Sequence, residues 1–168
     1  MTRWNLVPLL LICCARALLP QGSITKVNSS GRTVVPAVIG KSKIAVLLKT
    51  STVDVGLPGK PDKSRRFLQC TYSVFPCVLT NEFKIVVDGR SIPVPYSTYA
   101  DLGDMLTATI TERGPLFELT IKGGDASESY IARISFDRTR VHERRLYSGE
   151  DPSHLLEVTQ YYEVVIGD

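Results

Sequence analysis

The sequence predicts a mainly β protein: an antiparallel meander that forms a small sandwich or open barrel, preceded by an irregular N-terminal arm. Three observations carry this. From Phe67 onward, short runs alternate apolar and polar residues with the period of two that a half-buried strand requires. Turn-forming residues separate these runs about every ten residues, the spacing of sandwiches and barrels. No stretch has the length and period of a helix able to cover a parallel sheet.

Leu18–Ile39 is rich in Ser, Gly, Thr and Pro and reads as an arm with one short strand near Val34. Lys43–Val53 is apolar and β-branched and reads as a strand, although Ala45–Leu48 would also open a helix. Two prolines and two glycines make Gly56–Lys63 a loop. Phe83, Ile85 and Val87 then share one face of a strand, and Asp88-Gly89 suits a type I′ hairpin turn. The return strand holds Ile92 and Val94. Pro93 and Pro95 remove two of its donors, so it is short or at an edge.

Ser97–Leu102 fits one helical turn capped by Ser97 and ended by Gly103. The next strands place Leu106, Ala108 and Ile110 on one face, then Phe117, Leu119 and Ile121, with a turn at Arg113-Gly114 between them. Gly123-Gly124-Asp125 turns the chain into a strand of Tyr130, Ala132, Ile134 and Phe136. Asp137-Arg138-Thr139 turns it again into Val141–Tyr147. After a loop with Gly149, Asp151 and Pro152, the last strand runs from Leu155 to Ile166. Leu156, Val158, Tyr162, Val164 and Ile166 share its face. There is no internal repeat.

The beginning of the chain speaks about destination. Arg3, the uncharged run Leu6–Ala15 and the small-x-small pattern Ala15-Arg16-Ala17 compose a signal peptide over residues 1–17, with Leu18 as the mature start. The run is too short to span a bilayer. Cys13 and Cys14 raise lipidation as a minority alternative, but the residues before them, Ile12 and Cys13, depart from a lipobox. The chain then divides into this signal peptide, a basic arm over 18–66 and a β domain over 67–168. The expected location is periplasmic or extracellular.

Apolar residues make up 43% of the chain, which supports a core and excludes a disordered protein. The net charge of +3 falls to +1 without Arg3 and Arg16 of the signal segment, so no global field drives nucleic-acid binding and no specific nucleic-acid binding is expected. Its distribution is uneven. Leu18–Arg66 holds nine Lys/Arg and two Asp/Glu, whereas Phe67–Asp168 holds nine and fifteen. Lys60, Lys63, Arg65 and Arg66 cluster beside the Gly/Pro loop and are candidate residues for weak contact with an anionic surface.

Cys70 and Cys77 remain after processing. An even count in an oxidising compartment reads as a disulfide. The spacing fits neither a catalytic dithiol nor a zinc site.

Candidate chemistry is sparse. The two histidines, His142 and His154, lie on different elements, and no Gly-x-Ser-x-Gly motif is present. Ser127, Ser129 and Ser148 read as cap or solvent hydroxyls. His142, Glu143, Glu150, Asp151 and His154 lack the spacing of a metal motif. Glu118, Asp125 and Glu128 are carboxylates that glycoside hydrolysis would need to face across a cleft. Asn28-Ser29-Ser30 matches a glycosylation sequon, meaningful only in a eukaryotic secretory pathway. No cofactor or metal is expected.

The most distinctive string is Gly123-Gly124-Asp125-Ala126-Ser127-Glu128-Ser129-Tyr130. It suits a β-turn closed by Asp125 or Ser127, or else a small anion nest of backbone N–H groups. With Phe136-Asp137 and Leu155–Tyr162, it resembles a group of exported bacterial proteins of uncharacterised activity, over roughly Phe83–Asp168. That resemblance implies export and no site residue. The expected function is therefore a non-catalytic binding or interaction domain whose sheet edges or loops contact a protein or envelope polymer. The alternative is a small envelope hydrolase using His142 or His154 with a carboxylate such as Glu150 or Asp151.

Overall fold

A computed structural model describes residues 22–57, 60–62 and 69–163. The expected signal segment of residues 1–17 lies outside them, as do Lys63, Arg65 and Arg66. Among the described residues, ten of twelve strands form two principal antiparallel sheets that do not close into a barrel. One sheet joins β2 (Gly31–Ile39), β3 (Ser42–Val53), β6 (Cys77–Val87) and β7 (Arg90–Ile92) in that order. The other joins β1 (Thr25–Lys26), β8 (Met105–Arg113), β9 (Leu116–Gly123), β10 (Tyr130–Phe136), β11 (Val141–Ser148) and β12 (Leu155–Gln160). A two-residue hairpin, β4 (Gly56–Leu57) with β5 (Lys60–Pro61), stands apart from both.

The inner faces of the two sheets share one core. Val35, Val46 and Ile85 line it from the first sheet, and Ile110, Leu119, Ile121, Ile134 and Phe136 from the second. These are the alternate residues of their strands, so the predicted period of two places them together. The Asp88-Gly89 turn has both residues at positive φ, 51° and 81°, as a type I′ hairpin requires.

Several expectations are corrected. The strand expected over Lys43–Val53 is β3, but the one near Val34 is not short: β2 has nine residues, and the two strands supply Val35, Ala37, Ile44, Val46 and Leu48 to the core. Ser97 does not cap a helix. The turn there is a 3-10 turn over Tyr96–Thr98 that follows Pro95, with no side-chain cap. Leu106 is exposed, because the β8–β9 register shifts between Met105 and Thr107 and turns it away from Ala108 and Ile110. The last strand ends at Gln160, and Leu156 and Val158 are not buried. Val164 and Ile166 lie outside the described residues.

Cys70 and Cys77 are bonded, and Cys77 opens β6 fully buried. The loop they close is pinned from three directions. The Asp104 carboxylate accepts the backbone N–H of Thr71 at 2.9 Å and of Val78 at 2.7 Å. Gln69 accepts the N–H of Thr80 through its side-chain oxygen and donates its amide N–H to the Ala100 carbonyl. Gly103 permits this approach: a Cβ there would lie 2.1 Å from the Gln69 carbonyl oxygen. From the third side, Glu128 accepts the N–H of Tyr72 and Asp125 accepts the Ser73 hydroxyl. Among the described residues, no helix is long and apolar enough to cross a membrane.

Candidate functional site

The distinctive glycine string is structural. Gly124, at φ 72°, donates its N–H to the Asp104 carbonyl. Glu128 and Ser129 donate theirs within the 3-10 turn Ala126–Glu128, to Asp125 and Ala126. These donors are therefore consumed and do not form an anion nest. Tyr130 closes the string by donating its hydroxyl to the Gly103 carbonyl at 2.7 Å. Burial, then the charges of Asp104 and Asp101, push its pKa far above the ordinary phenol value, so it acts as a donor throughout. The string's two carboxylates, Asp125 and Glu128, hold the disulfide loop as described. Ser127 lies in the 3-10 turn, and the Ser129 carbonyl accepts the N–H of Gly149.

The two histidines occupy opposite ends of the β11–β12 hairpin. His142 is near the end where Tyr161 donates its N–H to the His142 carbonyl, and His154 is near the end where Ser148 donates to its carbonyl. Six residues at about 3.3 Å each put those ends roughly 20 Å apart, too far to share a site. His154 sits in a local turn: its N–H goes to the Asp151 carbonyl, while the Asp151 carboxylate accepts from Ser153. The Ser148 hydroxyl accepts the Asp151 N–H. Glu150 is exposed.

His142 is paired with neither Glu150 nor Asp151 but with Asp137, Nε2 to Oδ2 at 2.7 Å. Partial burial opposes ionisation of Asp137. Hydrogen bonds from Thr139, His142 and the N–H of Arg140 nevertheless hold its carboxyl well below the usual range. Among the described residues, no hydroxyl or thiol hydrogen-bonds the His142 ring. Glu118 pairs with Arg113 at 2.9 Å, on a different element from Asp125 and Glu128. No group of three or more His, Cys, Asp or Glu among the described residues is arranged to hold a metal ion. Lys60 is exposed in β5.

The feature that the geometry does single out is β12. Four strands end the two sheets, and three are protected as edges usually are. β1 has two residues. β7 has three and runs into Pro93. β2 carries Pro36 at its middle. β12 has six residues and no proline, lysine or arginine. Leu156 is 53% exposed and Val158 43%, beside exposed Leu155. None of its residues belongs to the shared core. β12 is held instead by backbone pairing to β11 and by Arg144, which donates to Glu157 at 2.9 Å and to Asp101 at 2.6 Å.

Just beyond β12, a cleft of about 420 Å³ is lined by Arg113, Arg140, His142, Glu143, Tyr161 and Tyr162. Tyr161 packs on the core, whereas Tyr162 is exposed and donates its hydroxyl to Gln160. An extended segment laid along β12 would run past this cleft, which offers charged and aromatic groups to one of its side chains. Sequence periodicity locates the strand but does not show that its apolar residues face solvent, so it missed this site.

No protein-family model matches the chain, and no curated protein or solved structure is similar to it.

Proposed function

We propose that this chain is an exported, non-catalytic interaction domain that binds an extended polypeptide segment by β-strand addition to β12. The observation that carries this reading is the contrast among the edges: among the described residues, β12 is the edge strand longer than three residues without proline, lysine or arginine, and Leu155, Leu156 and Val158 on it are exposed. In strand addition, backbone hydrogen bonds give affinity and neighbouring pockets read alternate side chains. The cleft at Tyr161 and Tyr162 supplies such a pocket. Export rests on the signal pattern of residues 1–17, and the Cys70–Cys77 bond suits an oxidising compartment.

Peptides selected from a displayed random library on the purified chain test the binding. They are expected to alternate apolar residues and to shift the amide resonances of residues 154–162. Val158→Pro removes an edge donor and should abolish their binding. Peptides that bind Val158→Pro equally well, or that perturb other strands, would overturn the assignment. Export has its own test. The intact mass of the secreted protein should correspond to a chain starting at Leu18 and lighter by the two hydrogens of the disulfide. A retained Met1 or two free thiols would contradict it.

A further inference from the structure

We infer that the outer face of the four-stranded sheet docks on an anionic phospholipid surface. The cross-strand register builds this face row by row. Arg32, Lys49 and Glu82 form one row, and Val34, Leu47 and Lys84 the next. Pro36, Ala45, Val86 and Ser91 form a third, and Val38 with Lys43 a fourth. Their strand neighbours Thr33, Val35, Ala37, Ile44, Val46 and Leu48 are buried, so these rows point away from the core.

The face has an apolar centre and a basic frame. Val34 is 52% exposed, and Val38 is exposed too. Arg32, Lys43, Lys49 and Lys84 share these rows with one carboxylate, Glu82, an excess of three positive charges within the rows. The field of this frame is felt by Glu82, whose carboxyl is held below its ordinary range by Lys84 first and then by Arg32 and Lys49. Outside this face, Leu18–Asp168 holds fourteen Lys/Arg and sixteen Asp/Glu, so the positive excess is concentrated on the face. An anionic surface would therefore attract this face more than the nearly neutral remainder, which orients the molecule before contact.

Charge alone would suit any polyanion. The apolar rows decide for lipid. A soluble anionic polymer would engage the cations and leave Val34, Val38 and Leu47 in water. A bilayer accepts cations at its headgroups and apolar side chains at the acyl boundary. Single-stranded nucleic acid would call for aromatic residues on which bases stack, and these rows contain none. The proposal does not depend on strand addition at β12, which belongs to the other sheet.

Sedimentation of the mature chain, Leu18–Asp168, with vesicles provides the test. One set is pure phosphatidylcholine and the other contains phosphatidylglycerol. Binding is expected only to the anionic vesicles, and it should weaken as salt screens the contact. Each basic residue near such a surface contributes about fivefold, so Lys43→Ser, Lys49→Ser and Lys84→Ser together should weaken binding about a hundredfold. Val34→Ser with Val38→Ser, both on the exposed face, should weaken vesicle binding while leaving retention on soluble dextran sulfate unchanged. Circular dichroism confirms that each variant is folded. Equal retention on both vesicle types, no loss in the triple lysine variant, or no loss in the valine variant would overturn the proposal, the last in favour of a soluble polyanion.

Discussion

Replacing Asp104 by alanine is expected to cost about 3–5 kcal/mol of folding stability, because it strips two buried amides of their only acceptor at once. Asp104 is 2% exposed. Its two carboxylate oxygens take the N–H groups of Thr71 and Val78, the residues that follow the two bonded cysteines. Its backbone completes the junction, donating to the Val78 carbonyl and accepting from Gly124. A buried amide left unpartnered costs about 1–3 kcal/mol, and there would be two. Alanine would also have to hold φ 46°, a left-handed conformation that aspartate tolerates better.

Asp104→Asn keeps one acceptor and turns an NH₂ toward the other amide, so its cost should be intermediate. Urea unfolding of both variants checks the order. A loss below about 1 kcal/mol for alanine would show that water or rearrangement satisfies the amides. The disulfide itself is worth about 2.5 kcal/mol on chain-entropy grounds. Because bond and carboxylate restrain the same loop, their losses should not add. Asp104→Ala should cost less in a Cys70→Ser, Cys77→Ser background than alone.

How far the fold was legible depends on contrast between neighbouring residues. Phe83, Ile85 and Val87 alternate with Lys84 and Val86, and Leu119 and Ile121 with Thr120 and Lys122, so these strands announced themselves. The strand β2 did so only in part, as a short strand near Val34 and not as nine residues. Val34, Pro36 and Val38 face outward while Val35 and Ala37 face inward, so both sides are apolar and the period disappears. That same lack of contrast is what gives the outer face its apolar rows. The disulfide was legible from cysteine count and compartment. The Asp104 clamp was not, since the amides it holds lie 33 and 26 residues away in sequence and no local motif marks it. The histidines illustrate the reverse limit. Their distance apart in sequence suggested only that they differ in element, and it took the hairpin register to place them at opposite ends.

Removing Asp101 should destabilise the protein more than removing Arg144, the residue it partners. Arg144 lies on the inner side of β11 with its side chain only 3% exposed, and its Nε has no acceptor. Its charge is balanced by Asp101 and Glu157, both of which remain partly open to solvent. Asp101→Ala leaves a buried guanidinium with one partner, an arrangement that typically costs about 3–5 kcal/mol. Arg144→Met removes the buried charge, fills much of the same volume and lets both carboxylates rehydrate, so a cost of about 1 kcal/mol or less is expected. The local consequence runs the other way. Arg144 is the side-chain tie between Glu157 of β12 and Asp101 beneath it. Its loss should therefore speed amide exchange across residues 155–160 while β9 and β10 stay protected. Urea unfolding and hydrogen exchange on the two variants separate these effects. If Arg144→Met proves the more damaging substitution, or if its exchange rises uniformly through the sheet, then the arginine stabilises the core as a whole and does not specifically hold β12 in place.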